Sequence, residues 1–223
     1  MQFELRGAGC AALALGALLA APSANAANLI TNGYFNQPDP STYNQGGGAW
    51  NLAASIPGWT SNTTDEIETG LNGTYGLPSY LGSTTNLELN ANTFGSISQT
   101  VTGLVIGQTY DLTFGYGSRG GAGDEQMDVF FGGNRVVEIT QFTVPTSGWF
   151  ANSYDITATS TSEVLTFTSN DIGGNPAEGN ELTAVSLTAV PEPAAWALML
   201  AGFGGLGGAL RMSRRRTGVI SPV

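Results

Sequence analysis

Residues 109–116 constrain the possible folds of this chain more than any other stretch. Tyr110, Leu112, Phe114 and Tyr116 alternate there with Thr109, Asp111, Thr113 and Gly115. A period of two puts the four large apolar side chains on one face of an extended strand. One apolar and one polar face is the pattern of an antiparallel sheet with a single buried side. Similar alternation recurs at 86–90 (Leu87, Leu89), 96–101, 126–131 (Met127, Val129, Phe131), 153–157 (Tyr154, Ile156), 163–168 (Leu165, Phe167) and 182–190 (Val185, Leu187). An opening strand over 28–35 and another around Trp59 bring the expected total to eight or nine.

Between these runs stand clusters of Gly, Asn, Ser, Thr and Pro, and residues 27–190 show no sustained helical period. The region is therefore expected to be all-β. Gly103 and Gly107 bracket a short link, Gly132-Gly133-Asn134 marks a hairpin, and Ser147-Gly148 precedes Trp149. So many strands with inward aromatic residues favour a two-sheet antiparallel sandwich or jelly roll over a closed barrel. Two long polar stretches, 37–51 and 61–85, interrupt the pattern, and loops of that length in a compact domain are usually functional or disordered. No repeat of 20 to 50 residues is present, which disfavours a propeller or solenoid.

The chemistry open to residues 27–190 is narrow. The chain has no histidine, its one cysteine is Cys10, and this region contains no lysine. Histidine-based triads, thiol nucleophiles, Schiff-base lysines and thiolate or imidazole zinc sites are all excluded. Fifteen acids stand against Arg119 and Arg135, a formal charge of −13. Such a surface repels phosphates, so nucleic acid is not an expected partner. Two carboxylates facing each other across a cleft, as in a glycosidase, are the remaining enzymatic option. The candidates are Asp65, Glu66 and Glu68, and Asp124, Glu125 and Asp128. The same oxygen-rich side chains suit calcium, for which Asn170, Asp171 and Asn175 are the candidate ligands before the last strand.

Both ends of the chain differ from its middle. Residues 1–26 have a secretory leader's layout: Arg6, an apolar stretch from Ala8 to Ala21, and Ala24-Asn25-Ala26 as the cleavage site, so that the mature chain starts at Ala27. Export through the Sec machinery follows. The 164 residues of 27–190 suit one domain. Beyond them come Pro191-Glu192-Pro193, an uncharged run of 17 residues from Ala194 to Leu210, then Arg211, Arg214, Arg215 and Arg216 within 211–216, and an extension over 217–223. The run sits at the lower limit for a transmembrane helix, and the arginines orient it with the domain outside. An ordinary C-terminal anchor and a core helix of the domain are the bland alternatives.

Pro191-Glu192-Pro193, followed by Trp196-Ala197-Leu198-Met199-Leu200-Ala201-Gly202-Phe203-Gly204, a glycine-rich continuation and the arginine cluster, resembles the PEP-CTERM sorting signal of Gram-negative bacteria. That resemblance implies recognition by a membrane exosortase, processing on the way to the cell surface, and a setting of exopolysaccharide. In 27–190, Asn28 to Phe35, Ile56-Pro57-Gly58-Trp59, Ile67-Glu68, Leu87-Glu88-Leu89-Asn90, Ile97 to Val101 and Gly107 to Phe114 resemble, in that order, bacterial surface proteins with a galactose-binding-like jelly roll. Such domains often hold a structural calcium and sometimes bind sugars. Where they commonly carry acids, after the opening Phe and before Val-Ser-Leu, this chain has Asn36 and Thr183-Ala184.

The expected function is that of an exported, surface-sorted, non-catalytic protein, either a matrix or carbohydrate-binding module or a purely structural domain. Exposed Trp and Tyr faces stack on sugar rings. Trp50, Tyr75 and Tyr80 in the long polar loops are the candidate stacking residues, whereas Trp59 and Trp149 are expected to pack. Arg119 is expected either to bridge nearby acids or to hold a polar ligand.

Overall fold

The computed structural model describes residues 27–42, 50–62, 67–71, 73–119, 123–141, 148–191 and 193–216. The leader with Ala24 and Ala26, the acids Asp65 and Glu66, Glu192 and the extension 217–223 lie outside the described residues. The described strands are β1 (Trp50–Ala53), β2 (Ser55–Ile56), β3 (Trp59–Ser61), β4 (Ile67–Leu71), β5 (Thr85–Glu88), β6 (Ser96–Thr102), β7 (Thr109–Gly117), β8 (Glu125–Phe131), β9 (Asn134–Gln141), β10 (Phe150–Thr157), β11 (Ser162–Asn170) and β12 (Glu181–Ala189). They form two antiparallel six-stranded sheets. The first runs β1-β4-β5-β12-β7-β10 and the second β2-β3-β6-β11-β8-β9.

The chain is thus an all-β, two-sheet jelly roll, and the alternating segments supply its filling. Leu87, Leu112, Phe114, Tyr116, Leu182 and Leu187 from the first sheet meet Met127, Val129, Leu165 and Phe167 from the second, all fully buried. Trp59 sits among them, its ring centroid 5.5 Å from that of Phe35 and 6.0 Å from Phe167. The hairpin expected at Gly132-Gly133 is present, with Phe131 opposite Asn134 and positive φ at both glycines, the mirror-image turn that suits strand twist.

Three expectations need correction. Residues 28–35 form no strand: the backbone turns at 31–34, with Asn32 and Phe35 at φ of 52° and 55°. This left-handed geometry drives Phe35 into the core. The segment is tied to β12 instead, Leu29 N–H donating to Leu187 O and Val185 N–H to Gly33 O across the β12 bulge. Second, the polar stretches contain strands, since β1 begins at Trp50 and β4 occupies 67–71. Third, a C-terminal helix does form, α1 (Pro193–Arg216), carrying the backbone of Arg211, Arg214, Arg215 and Arg216. Yet no helix among the described residues is long and apolar enough to cross a membrane. Five glycines between Gly202 and Gly208 dilute the hydropathy of α1 and its last turns are basic, so the transmembrane expectation for 194–210 is not met.

Candidate functional site

The outward face of the first sheet is where the structure departs most from the alternation rule. Glu68 on β4 stands opposite Glu88 on β5, and Glu88 stands opposite Glu181 on β12. Alternation directs these carboxylates away from the core, since their neighbours Ile67, Leu87 and Leu182 point into it. Even so, Glu68, Glu88 and Glu181 are 7%, 1% and 0% exposed.

The link between β4 and β5 covers them. Its residues 73–83 cross the sheet as a strap. Tyr75 lies against Gly70, Tyr80 against Gly115, and Leu77 and Trp149 against Gly117. A β-carbon at Gly70 would stand 2.7 Å from the Tyr75 ring, and one at Gly115 would stand 2.8 Å from the Tyr80 ring; only glycine lets the rings lie this close. Trp149 fastens the far end, its indole N–H donating to Pro78 O at 2.7 Å and its ring centroid 6.0 Å from that of Tyr80.

Beneath the strap the acids are partly compensated. The Tyr75 hydroxyl donates to Glu68 Oε1. Arg119 contacts Glu88 Oε2 at 3.2 Å, reaches Glu178 at 4.0 Å, and lies 4.9 Å from the centre of the Tyr75 ring. Gly179 N–H donates to Glu88 Oε1 at 2.6 Å, and the Asn86 amide donates to Glu181 Oε2. Among the described residues, Glu181 Oε1 and Asn86 Oδ1 are buried without a hydrogen-bond partner. One guanidinium cannot balance three carboxylates away from water. Burial, reinforced by Glu68, pushes the Glu88 carboxyl up to about 8, and burial with the charge of Glu88 drives Glu181 well above the ordinary carboxylate range. Burial and the Glu68 charge likewise raise the Tyr75 hydroxyl, which keeps its proton.

A further buried carboxyl, Glu125 on β8, accepts from Asn180 N–H at 3.0 Å. Asn180 also accepts the Tyr116 hydroxyl at 2.6 Å and donates to Asn90 Oδ1 at 3.2 Å. Burial pushes Glu125 up to about 7. Of the candidate acid pairs, the structure thus brings Glu68 to Glu88 and Glu181, while Glu125 and Asp128 belong to the other sheet, Asp128 facing Arg135 at 3.5 Å.

The candidate stacking residues separate. Tyr75 is buried, Tyr80 is half-buried on Gly115, and Trp50 is half-buried on the edge strand β1, where its partner Gly70 places it on the strapped face. The expectation that Trp59 packs holds, and Trp149 is fixed by its indole bond. Arg119 bridges acids, the first of the two roles considered for it.

The calcium candidates are engaged locally. The Asn170 amide donates to Gln126 Oε1 and Asp128 Oδ2, Asp171 Oδ1 accepts from Gly173 N–H, and Asn175 Oδ1 accepts from Ala177 N–H. Thr183, where similar domains carry an acid, donates its hydroxyl to Thr85 O at 2.8 Å. Among the described residues no three His, Cys, Asp or Glu side chains are arranged to hold a metal ion.

Glu88 and Glu181 escaped sequence reading. Each adjoins a leucine in a strand, which ordinarily means a solvated polar face, and only the aromatic residues of 73–83 hinted at a cover.

Residues 189–216 match the PEP-CTERM protein-sorting motif. Halomucin of Haloquadratum walsbyi is 29% identical over 182 residues, covering 79% of this chain, which itself spans 2% of halomucin's length. Among solved structures, CBM35 from Paenibacillus barcinonensis is 18% identical with a TM-score of 0.39, over 64% of this chain and 98% of that one. The CBM22-1 xylan-binding domain from the same organism is 12% identical with a TM-score of 0.41, over 60% and 87%. Residues 28–188, nearly the whole sandwich, match the family described as protein of unknown function DUF642, and the chain belongs to that family.

Proposed function

We propose that this chain is an exported, non-catalytic surface protein whose jelly roll associates with extracellular polysaccharide. The observation that carries the reading is the join at 188–189, where the sandwich passes directly into the sorting motif. A cargo domain followed by an address is the organisation of a protein delivered to the envelope. The Sec machinery and an exosortase are then its processing partners, with transient membrane contact through 194–210 and exopolysaccharide of a Gram-negative bacterium as its surroundings. The charge of −13 over 27–190 supports solubility outside the cell and disfavours anionic partners.

The strapped acids support a structural role over a catalytic one, because a glycosidase needs carboxylates open to a substrate on both sides of a bond. A purely structural surface domain is the second reading, favoured by Tyr75 and Tyr80 lying down on the sheet. A glycan array probed with the exported protein separates the two. Binding of any polysaccharide fragment without its hydrolysis supports the proposal, hydrolysis restores the enzyme, and no binding across neutral and acidic glycans leaves the structural reading.

A further inference from the structure

β9 and β10 are the last strands of their sheets, and a cleft of about 320 Å³ opens where they face each other. Its walls include Arg135 from β9, Tyr154, Asp155 and Thr157 from β10, and Thr159 and Glu163. This volume lies near the low end of small-ligand sites, roughly 300–1,000 Å³. A second, more open depression of about 680 Å³ adjoins it, shares Thr159 and Glu163, and carries the apolar side chains Phe130 and Val164.

Glu163, at the junction, has an uncommon environment. It is 6% exposed. Its Oε1 accepts from the Thr159 N–H at 2.6 Å, the Thr159 hydroxyl at 2.7 Å and the Ser160 N–H at 2.8 Å. Three donors on one oxygen hold the carboxylate in a single orientation. Its Oε2 accepts no hydrogen bond among the described residues, and no ion pair there reaches Glu163, since Arg135 pairs with Asp128 and Glu138. Oε2 sits beside Gly132, where a β-carbon would stand 2.8 Å from it. A glycine at positive φ therefore keeps one side of this fixed acceptor clear.

We propose that the cleft is a saccharide site in which Glu163 Oε2 accepts hydrogen bonds from the hydroxyls of a neutral pyranose ring. The inference rests on the polysaccharide reading above and names the site and substrate class. A preoriented acceptor rewards a ligand that brings its own donors, and vicinal hydroxyls do so without charge. Tyr154, backed by Phe114 with ring centroids 6.1 Å apart and ring planes inclined at 29°, supplies a rigid apolar wall for the C–H face of the sugar. Arg135 and the hydroxyls of Thr157 and Thr159 supply the remaining polar contacts. Asp155 and Glu163, within a region of charge −13, repel a polyuronate. Two adjoining depressions sharing Glu163 suit consecutive residues of a polymer better than a free monosaccharide.

Calorimetric titration of the exported protein with cellohexaose, xylohexaose, mannohexaose and a hexagalacturonate tests this. At least one neutral hexamer should bind and the uronate should not. Glu163→Gln should weaken that binding at least tenfold. Thr157→Trp, at an exposed position on the cleft wall, should abolish it with the melting temperature unchanged, so the test survives if Glu163→Gln fails to fold. Trp50→Ala should bind like wild type. If the cleft variants bind normally while Trp50→Ala loses affinity, saccharide binding stands and this site falls. If wild type binds no neutral hexamer, the site falls; if it also binds none of the glycans on the array, the polysaccharide reading falls with it. Preference for the uronate overturns the substrate class.

Discussion

Glu181 shows how much one residue's surroundings change its chemistry. Its carboxyl is fully buried, one oxygen takes the Asn86 amide and the other has no partner among the described residues, so the neutral form is the economical one. The consequence for stability has a definite sign. An unfolded glutamate titrates near 4.5, and the folded values of Glu88 and Glu125 are raised to about 8 and about 7, with Glu181 raised too. Between pH 4.5 and 8 the folded chain holds more protons than the unfolded one. Stability is therefore greatest at the acidic end of that window and falls as pH rises through it. The loss should amount to several kcal/mol, as each pKa unit corresponds to about 1.4 kcal/mol. Urea denaturation at pH 5 and pH 8.5 reads it directly. Glu181→Gln should flatten the profile and raise stability at pH 8.5. A wild-type profile that is flat or rises with pH would contradict the raised values. None of this was visible from the residue itself, because an acid next to a leucine in a strand ordinarily faces water.

At the scale of elements, the 73–83 strap converts a solvated sheet face into a second interior. Tyr75, Leu77 and Tyr80 lie on glycines of β4 and β7, so the strap depends on small residues at those strand positions. Gly115→Ala would place a methyl group 2.8 Å from the Tyr80 ring and should cost about 1–3 kcal/mol by overpacking. The displaced Tyr80 should also alter the fluorescence of its neighbour Trp149. Gly148→Ala, with no atom within 4 Å of the new β-carbon, is the control and should stay within about 0.5 kcal/mol of wild type. Equal stability of the two variants would mean that the strap does not press on the sheet. Strand legibility followed the same division. β7, β8 and β11 announce themselves by clean alternation, while β4 (Ile67–Leu71) mixes an acid, a threonine and a glycine and resembles a loop until its outer face is known to be covered.

For the whole molecule, the matched sorting motif predicts a processed tail. Intact-mass measurement of the protein from the cell surface should show a start at Ala27 and loss of Arg214 to Val223. Retention of those arginines would instead favour a permanent anchor. The sequence by itself determined the fold class, the antiparallel sandwich, the Gly132-Gly133 hairpin, the packing of Trp59 and the sorting tail. These depend on period-two burial, on backbone angles that glycine admits, and on linear motifs read in order, all of which are local. Tertiary structure alone decided which outward faces meet water. That choice depends on where distant segments cross, as when the strap seals Glu68, Glu88 and Glu181 and when β9 and β10 leave a cleft around Glu163, and no local period records it.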